Sequence, residues 1–357
     1  MANEFIIDFL QVGSTKSGDA IAIKTVVDGV SEVHIVDGGY QFTGERICEH
    51  IEQHYGVTNK VNRVIVTHND GDHAGGLRTI LEKYEVDELW MLRPWEYADE
   101  LINGFKWWRN VDNLKKHLQE LYPNLHALEE IAIEKNIPIM TPFQGSKIGN
   151  FTVLWPSKKD YINLVANSDK TPDTYSESAM VGLEGFVGTV KKAVSKLISA
   201  IWGDEAFPTS DTSEENNMSI IQYASIDDRR ILLTGDAGRL ALKGAAEYAT
   251  SIFGEIPRIT HFQVPHHGSR HNVDSETLDL WFGKKLNTPG EIKFSAVISA
   301  SKEDEDHPRK VVIRAIKHRG GRVSTTEEAD FAFAYNVKRE GWVTATDIPY
   351  PTEQESV

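Results

Sequence analysis

Residues 67–77 read THNDGDHAGGL and follow directly on the apolar run VNRVIV, so His68, Asp70, Asp72 and His73 crowd into six residues at the end of a strand. No other feature limits the fold as tightly. Four charged or polar side chains between two apolar elements would be desolvated at a cost unless a cation neutralised them, and imidazole with carboxylate is a donor set that zinc, manganese and iron accept. The chain must therefore bring strand ends together around a polar cluster. Three further segments have the same form: Asp236 in LLTGDAG, His266 and His267 in VPHHGS, and His307 in DEDHPR. Taken singly, an aspartate in TGD is an ordinary turn former or cap and a His-Pro an ordinary loop. If the strands before them are neighbours, all four clusters meet at one edge of the sheets, where open α/β folds place their sites.

The rest of the chain is consistent with such a scaffold. FIIDFLQVG, DAIAIKTVV and SEVHIVDGG read as three strands, the last ending in Asp37-Gly38-Gly39. A helix is expected at about 43–55, others at 76–84 and over much of 95–134, where Leu114, Leu118, Leu121, Leu125 and Leu128 recur at helical spacing. GSKIGNFTVLWP returns to strand. MSIIQYAS, RRILLTGD, ITHFQVPHH and KFSAVISAS are further strands, with helices expected up to about 253 and near 309–319 and a closing hairpin at the end. The stretch 157–215 differs: it carries the polar runs ANSDKTPDTYSES and DTSEEN, and Leu183, Val187, Val190, Val194, Leu197 and Ile201 mark one face of an amphipathic helix. It reads as a helical insertion between a first half, 1–156, and a second half, 216–357, serving as a lid, a docking element for a partner, or a surface for self-association.

Composition narrows the function classes. A net charge of −15 opposes sequence-independent binding of duplex nucleic acid, which needs many Lys and Arg contacts to phosphates. A single cysteine, Cys48, excludes an internal disulfide and a thiolate metal cluster. No run approaches the ~18 apolar residues of a membrane span, and MANEFIIDFL lacks the marks of a secretory signal, so a cytoplasmic protein without membrane partner is expected. Trp107 and Trp108, flanked by Lys106 and Arg109 in GFKWWRN, offer either a base-stacking platform or a half-buried packing pair.

The H-x-D-x-D-H-x-G-G run resembles the metal-binding signature of the metallo-β-lactamase superfamily, in the variant where the second histidine of H-x-H-x-D-H is an aspartate. In that form it is similar to the soluble hydrolase domain of the competence DNA-uptake protein ComEC. FLQVGSTKSGDAIAIK, HIVDGG, ENNMSIIQY, LLTGDAG, VPHHGS and GGRVSTTEEAD resemble further segments of that domain in order, over roughly 5–156 and 216–340. The chain departs from it in the STKS before Gly18-Asp19, in the acidic SKEDEDHP and in the lack of an accompanying channel.

The resemblance implies a four-layer αββα sandwich and a metal-dependent hydrolase. It implies two divalent cations, with His68 and Asp70 serving one, Asp72 and His73 the other, and Asp236 bridging. His266 is the preferred remaining ligand of the second ion, while His267 and Ser269 are candidates to support the ligands or face substrate. Asn217 stands where many members have a histidine of the first site, which implies a weaker or water-completed site. Asp72 would orient the attacking water, and His307 would touch a phosphate or protonate the leaving oxygen. The hard oxygen of Asp70 shifts preference towards manganese or magnesium, manganese foremost, with zinc still acceptable. The expected activity is that of a phosphodiesterase, foremost a nuclease on single-stranded or short nucleic acid. The alternatives are hydrolysis of a small ester, lactone or cyclic nucleotide, and a partner-regulated effector module of a bacterial defence or toxin system.

Overall fold

A computed structural model describes residues 2–105, 108–171 and 196–357 of the chain. The amphipathic positions Leu183, Val187, Val190 and Val194, and Lys106 and Trp107, lie outside the described residues.

In chain order the first half supplies β1 (Glu4–Phe9), β2 (Ala20–Val27), β3 (Val30–Gly38), β4 (Lys60–Ile65), β5 (Glu85–Trp90) and the short β6 (Ile139–Met140). β7 (Lys147–Ile148) and β8 (Phe151–Trp155) open a second sheet, and β9 (Leu197–Ser199) stands apart from both. β10 (Ile221–Ile226), β11 (Arg229–Leu233), β12 (His261–Gln263), β13 (Phe294–Ile298) and β14 (Gly321–Thr325) extend the second sheet. β15 (Phe331–Tyr335) returns to the first, and β16 (Glu353–Glu355) pairs with β9. The resulting orders are β15-β1-β2-β3-β4-β5-β6 and β14-β13-β12-β11-β10-β8-β7. The two faces meet through contacts such as Phe5 on His261, with ring centroids 5.7 Å apart, and Asn150 on Thr25. Helices cover the outside: Thr43–Tyr55 lies on β2 and β3, Arg239–Phe253 on β8 and β10, and Lys310–His318 on β14. This is the expected four-layer sandwich.

The element types follow from local chemistry. β1 and β8 are almost wholly buried, as strands covered on both faces must be, and are mostly apolar without strict alternation; the exception in β1, Asp8, is buried against His50 and Arg339. In the helix Lys310–His318, Val311, Val312, Ile313 and Ile316 are buried, each worth roughly 1.5–3 kcal/mol of transfer free energy. The leucine-rich stretch divides into Val111–Leu121 and Pro123–Glu134, because Pro123 suits a first helical turn but not a helix interior.

Three expectations need correction. The closing hairpin is not one: β14 pairs in parallel with β13, whereas β15 crosses to the other sheet and pairs with β1, so the turn between them joins the sheets. Leu197 does not continue a helix but lies in β9, paired antiparallel with Glu355, and Ile201 is exposed; the C-terminal segment offers strand hydrogen bonds that outweigh the helical pattern. The end of the proposed insertion is also built into the second half. Asp211 accepts from the backbone of Arg239 and Leu240 at the start of a helix, and Glu205 joins His318 and Arg319. Among the described residues no helix is long and apolar enough to cross a membrane.

Candidate metal centre

Strand direction brings the clusters together. β3 and β4 run parallel, as do β11, β12, β13 and β14, so their carboxyl ends share one edge of the sandwich. β2 runs the other way, with Ala20 opposite Gly38, which sets Asp19 at the same edge. Asp37 lies in the last residues of β3, at the irregularity in its pairing with β2 between Val36 and Gly38, and the other polar residues follow their strands: His68 to His73 after β4, Asp236 after β11, His266 and His267 after β12 and His307 after β13.

The turn after β4 is tightly built. Asp72 and His73 sit on the one-turn helix Gly71–Ala74, with the backbone N–H of His73 and Ala74 bonded to the carbonyl of Asp70. Its glycines permit close approach of other backbone. A Cβ on Gly76 would stand 2.1 Å from the carbonyl oxygen of Gly38, and one on Gly18 would stand 2.8 Å from that of Asp72. At VPHHGS, His266 and His267 both adopt left-handed φ values, 47° and 54°, a costly conformation for residues with a Cβ. It turns the ring of His267 inward.

The histidines share one arrangement, in which Nδ1 is engaged by the protein and Nε2 faces the cluster. Nδ1 of His73 lies 2.8 Å from Asp37 Oδ2, that of His267 lies 2.9 Å from the carbonyl of Ser299, and that of His266 lies 3.0 Å from Asn272 Oδ1. Nδ1 of His68 is 3.0 Å from Thr67 Oγ1. Since a carbonyl or carboxylate can only accept, Nδ1 of His73 and His267 must donate, and Nε2 is the nitrogen left facing the cluster, able to ligate once its own proton is displaced.

The inward atoms converge. Nε2 of His73 lies 3.2 Å and Nε2 of His68 3.8 Å from the carboxylate of Asp236; Nε2 of His267 lies 3.4 Å from Asp72 Oδ2, and Nε2 of His68 lies 3.7 Å from Asp70 Oδ2. Three sets of donors each fall within 4.8 Å of one another: His68, His73 and Asp236; Asp72, His73 and His267; Asp19, Asp236 and His267. Nine buried side-chain polar atoms among the described residues lack a hydrogen-bond partner, and five of them are here: Asp19 Oδ1, His68 Nε2, His73 Nε2, Asp236 Oδ1 and His267 Nε2. Buried polar atoms are normally satisfied, so such a concentration fits coordination of cations. Even the close pair His73 Nε2 and Asp236 Oδ1 lacks hydrogen-bond geometry.

The electrostatics agree. Burial opposes charge on His73, but Asp236 and Asp37 outweigh it and hold its pKa well above the ordinary histidine value. His267 is likewise buried, yet Asp236 and Asp72 push it up to about 9. Asp236 is held well below the usual carboxylate range despite its burial, by His73, His266 and His267. Burial dominates at Asp19 and raises it. The carboxylate charge is thus balanced by imidazole protons that a divalent cation would displace.

Not every expected residue lies where the motifs suggest. His267, not His266, completes the group with Asp72 and His73; the left-handed turn brings its Nε2 inward, while His266 is nearer Asp236, at 3.6 Å, and its ring stacks on His307 with centroids 5.5 Å apart. Asn217 faces away, its Oδ1 accepting from the backbone of Ala241, because the start of the helix Arg239–Phe253 needs acceptors. The neighbouring Asn216 instead reaches His266, and Ser219 Oγ lies 3.3 Å from His68 Nδ1. Ser269 accepts from the backbone N–H of His271 within its own loop. His307 lies at the rim, with Nδ1 3.4 Å from Asp304 Oδ2. Trp108 packs on His117 and the core, and so behaves as a packing residue.

Motif reading missed Asp19, Asp37 and Lys170 as contributors. The first two stand at strand ends in GDA and IVDGG, where a lone aspartate beside glycine reads as turn chemistry only; Lys170 lies in a polar run without a motif.

Residues 25–135 match the family model Lactamase_B, described as the metallo-beta-lactamase superfamily. No curated protein matches the chain. Among solved structures, a beta-lactamase domain protein from Burkholderia ambifaria is 15% identical, with 69% of this chain and 65% of that one covered and a TM-score of 0.30. AidC, a dizinc quorum-quenching lactonase, is 9% identical over 61% of this chain and 56% of its own, with a TM-score of 0.30. A variant of the β-hydroxylase CmlA is 8% identical over 93% of this chain and 54% of its own, with a TM-score of 0.40. Scores this low say nothing about the chemistry of this chain, and none of these matches reaches the narrower likeness to the competence protein.

Proposed function

We propose that this chain, which carries a domain of the metallo-β-lactamase superfamily, is a metal-dependent phosphodiesterase, foremost a nuclease on single-stranded or short nucleic acid. The observation that carries the hydrolase reading is the convergence of five buried donor atoms without protein partners. Asp72, His73 and His267 would hold one divalent cation and His68 with Asp70 a second, with Asp236 between them and manganese preferred over zinc for the hard carboxylate oxygens. Such ions supply an activated water and screen the charge that develops on the ester. Asp72, at the accessible side of the group, would accept the proton of the attacking water. His307, next to His266 at the rim, would give a proton to the leaving oxygen. Asp304 orients that imidazole and is itself held by the backbone N–H and hydroxyl of Ser17. The phosphodiester choice is supported by the carboxylate-rich donor set, by His307, and by the ordered motifs similar to the competence-protein hydrolase.

A second reading rests on a different observation. A groove of about 520 Å³ opens beside His307, and its lining includes Asp304, Glu305, Glu327 and Glu353, with Lys310 3.3 Å from Glu353. Acidic side chains beside His307 disfavour a polyanion more than a small ester, lactone or singly charged cyclic nucleotide. Purified protein supplied with manganese and offered single-stranded DNA and RNA, duplex DNA, cyclic nucleotides, lactones and carboxylic esters separates the two. Cleavage of oligonucleotides supports the nuclease; turnover confined to the small substrates overturns it in favour of the second reading.

A further inference from the structure

Asp70 is the one residue of the H-x-D-x-D-H run that belongs to none of the three compact donor groups. Its Oδ1 instead lies 3.3 Å from the ammonium of Lys170, while its Oδ2 faces His68. Lys170 does not arrive there on a loose tether. It follows the helix Lys158–Asn167 in a turn whose Ser168 and Thr171 are buried: Thr171 N–H bonds to the Ser168 carbonyl at 2.9 Å, and Ser168 Oγ accepts from the Lys170 N–H at 3.0 Å. The Ser168 hydroxyl donates to Glu215, next to the Asn216 that touches His266. These bonds tie the turn to the segment that reaches His266 and set the Lys170 side chain towards Asp70.

The ion pair is partly exposed, with side-chain accessibilities of 38% for Lys170 and 39% for Asp70. Such a pair contributes little to folding, so stability does not account for it. What it does supply is a positive charge on the His68 side of the cluster, the side where Asn217 turns away and brings no further ligand. On the other side, Asp72, His73 and His267 meet within 4.8 Å, and among the described residues the ion-pair contact of Asp72 is with His267, at 3.4 Å.

We propose that Lys170 is a cationic member of the centre, making its two ion positions unequal: a divalent ion is held tightly by Asp72, His73, His267 and Asp236, and a second one only weakly beside His68 and Asp70, where it competes with the ammonium. While that second ion is absent, the Lys170 ammonium is the group that meets an anionic oxygen of the substrate on this side. The substrate half of this inference rests on the hydrolase reading above; the ion-binding half does not.

Calorimetric titration of Mn²⁺ into the chelator-treated full chain, with ion counts from native mass spectrometry, tests it without any substrate. Two separated binding steps are expected in the wild type. In Lys170→Met the first step should be unchanged and the second tightened by about tenfold, equivalent to roughly 1.4 kcal/mol. Lys170→Arg should resemble the wild type, because it keeps the charge. In an Asp70→Ala background Lys170→Met should no longer tighten the second step, since the coupling runs through that carboxylate. Two equal steps in the wild type, or a second step indifferent to Lys170→Met, would overturn the proposal. A hydrolysis assay on the same variants then reads the substrate half separately: a raised KM for Lys170→Met at manganese too low to fill the second position is expected, and an unchanged KM there rejects it.

Discussion

Nδ1 of His73 lies 2.8 Å from Oδ2 of Asp37, and this contact decides which nitrogen of a fully buried ring faces the cluster. Asp37 also accepts from the N–H and hydroxyl of Thr67, so its carboxylate holds the start of the H-x-D-x-D-H turn as well. Asp37→Asn tests the relationship. The residue has a left-handed φ of 56°, which asparagine tolerates, so the fold should persist. An amide nitrogen facing Nδ1, however, favours the tautomer whose Nε2 is protonated and cannot ligate. Metal affinity, measured by competition with a chelator, should fall about 10–100-fold; an unchanged affinity would contradict the orienting role.

Asp72→Ala should abolish hydrolysis while the melting temperature stays close to wild type. The side chain lies at the accessible edge of the donor group, 27% exposed, and its contact of note is with His267 Nε2. Near-wild-type turnover in a folded variant with full metal content would remove Asp72 from the reaction.

Asp236 lies between the two sides of the cluster, 3.2 Å from His73 and 3.8 Å from His68. Equilibration with millimolar manganese should load two ions on the wild type, and Asp236→Ala should weaken both, since one carboxylate serves both positions. Retention of one tightly held ion at wild-type affinity in that variant speaks against a shared ligand.

Gly76→Ala should destabilise the protein by about 3 kcal/mol, the upper part of the usual range for overpacking. The added Cβ would meet backbone on two sides, the Gly38 carbonyl oxygen at 2.1 Å and the Gly44 nitrogen at 2.9 Å, and neither can rotate away. Denaturant unfolding measures this; a loss below 1 kcal/mol would mean that the turn after β4 has room to shift.

Glu205 governs part of the acid stability. Burial would raise its pKa, but His318 and Arg319 outweigh it and hold the carboxyl at about 2, against 4.5 for a free glutamate. With the folded value depressed, the unfolded chain binds the proton first, so this contribution is fully present above pH 4.5 and is lost as pH falls towards 2. Unfolding free energy measured across that window should decline less steeply in Glu205→Gln than in wild type. Glu205→Ala at neutral pH should cost about 3 kcal/mol, the lower end for breaking a buried pair, because buried His318 loses its carboxylate partner while Arg319 keeps that of Asp279. Parallel acid profiles for wild type and Glu205→Gln would show that the network does not titrate in this range.

Much of the scaffold was legible from the chain. The apolar runs that end in His68, Asp236 and His267 are strands, the helix at 43–55 is in place, and HNDGDH contributes His68, Asp72 and His73 to the compact donor groups. These are local matters: a buried strand must be apolar along its length, and a charged turn beside it needs neutralisation, whichever strands become its neighbours. Pairing partners are not local. Whether β14 and β15 form a hairpin or part to opposite sheets depends on which edges lie open when β1 and β13 are laid down, and Leu197 follows the hydrogen bonds offered by Glu355 rather than its own helical spacing.

Within the centre the division is the same. Residue types at strand ends identified His68, Asp70, Asp72, His73 and Asp236 as candidates, because that chemistry is written in the side chains. Direction was decided only by the tertiary structure. The turn that carries both histidines sets His267, not His266, beside Asp72 and His73, a helix start draws Asn217 away, and Asp37, Asp19 and Lys170 reach the cluster from segments distant in sequence. Ligand geometry is set by distances of a few ångströms between residues far apart along the chain, and only the packing of two sheets brings those distances about.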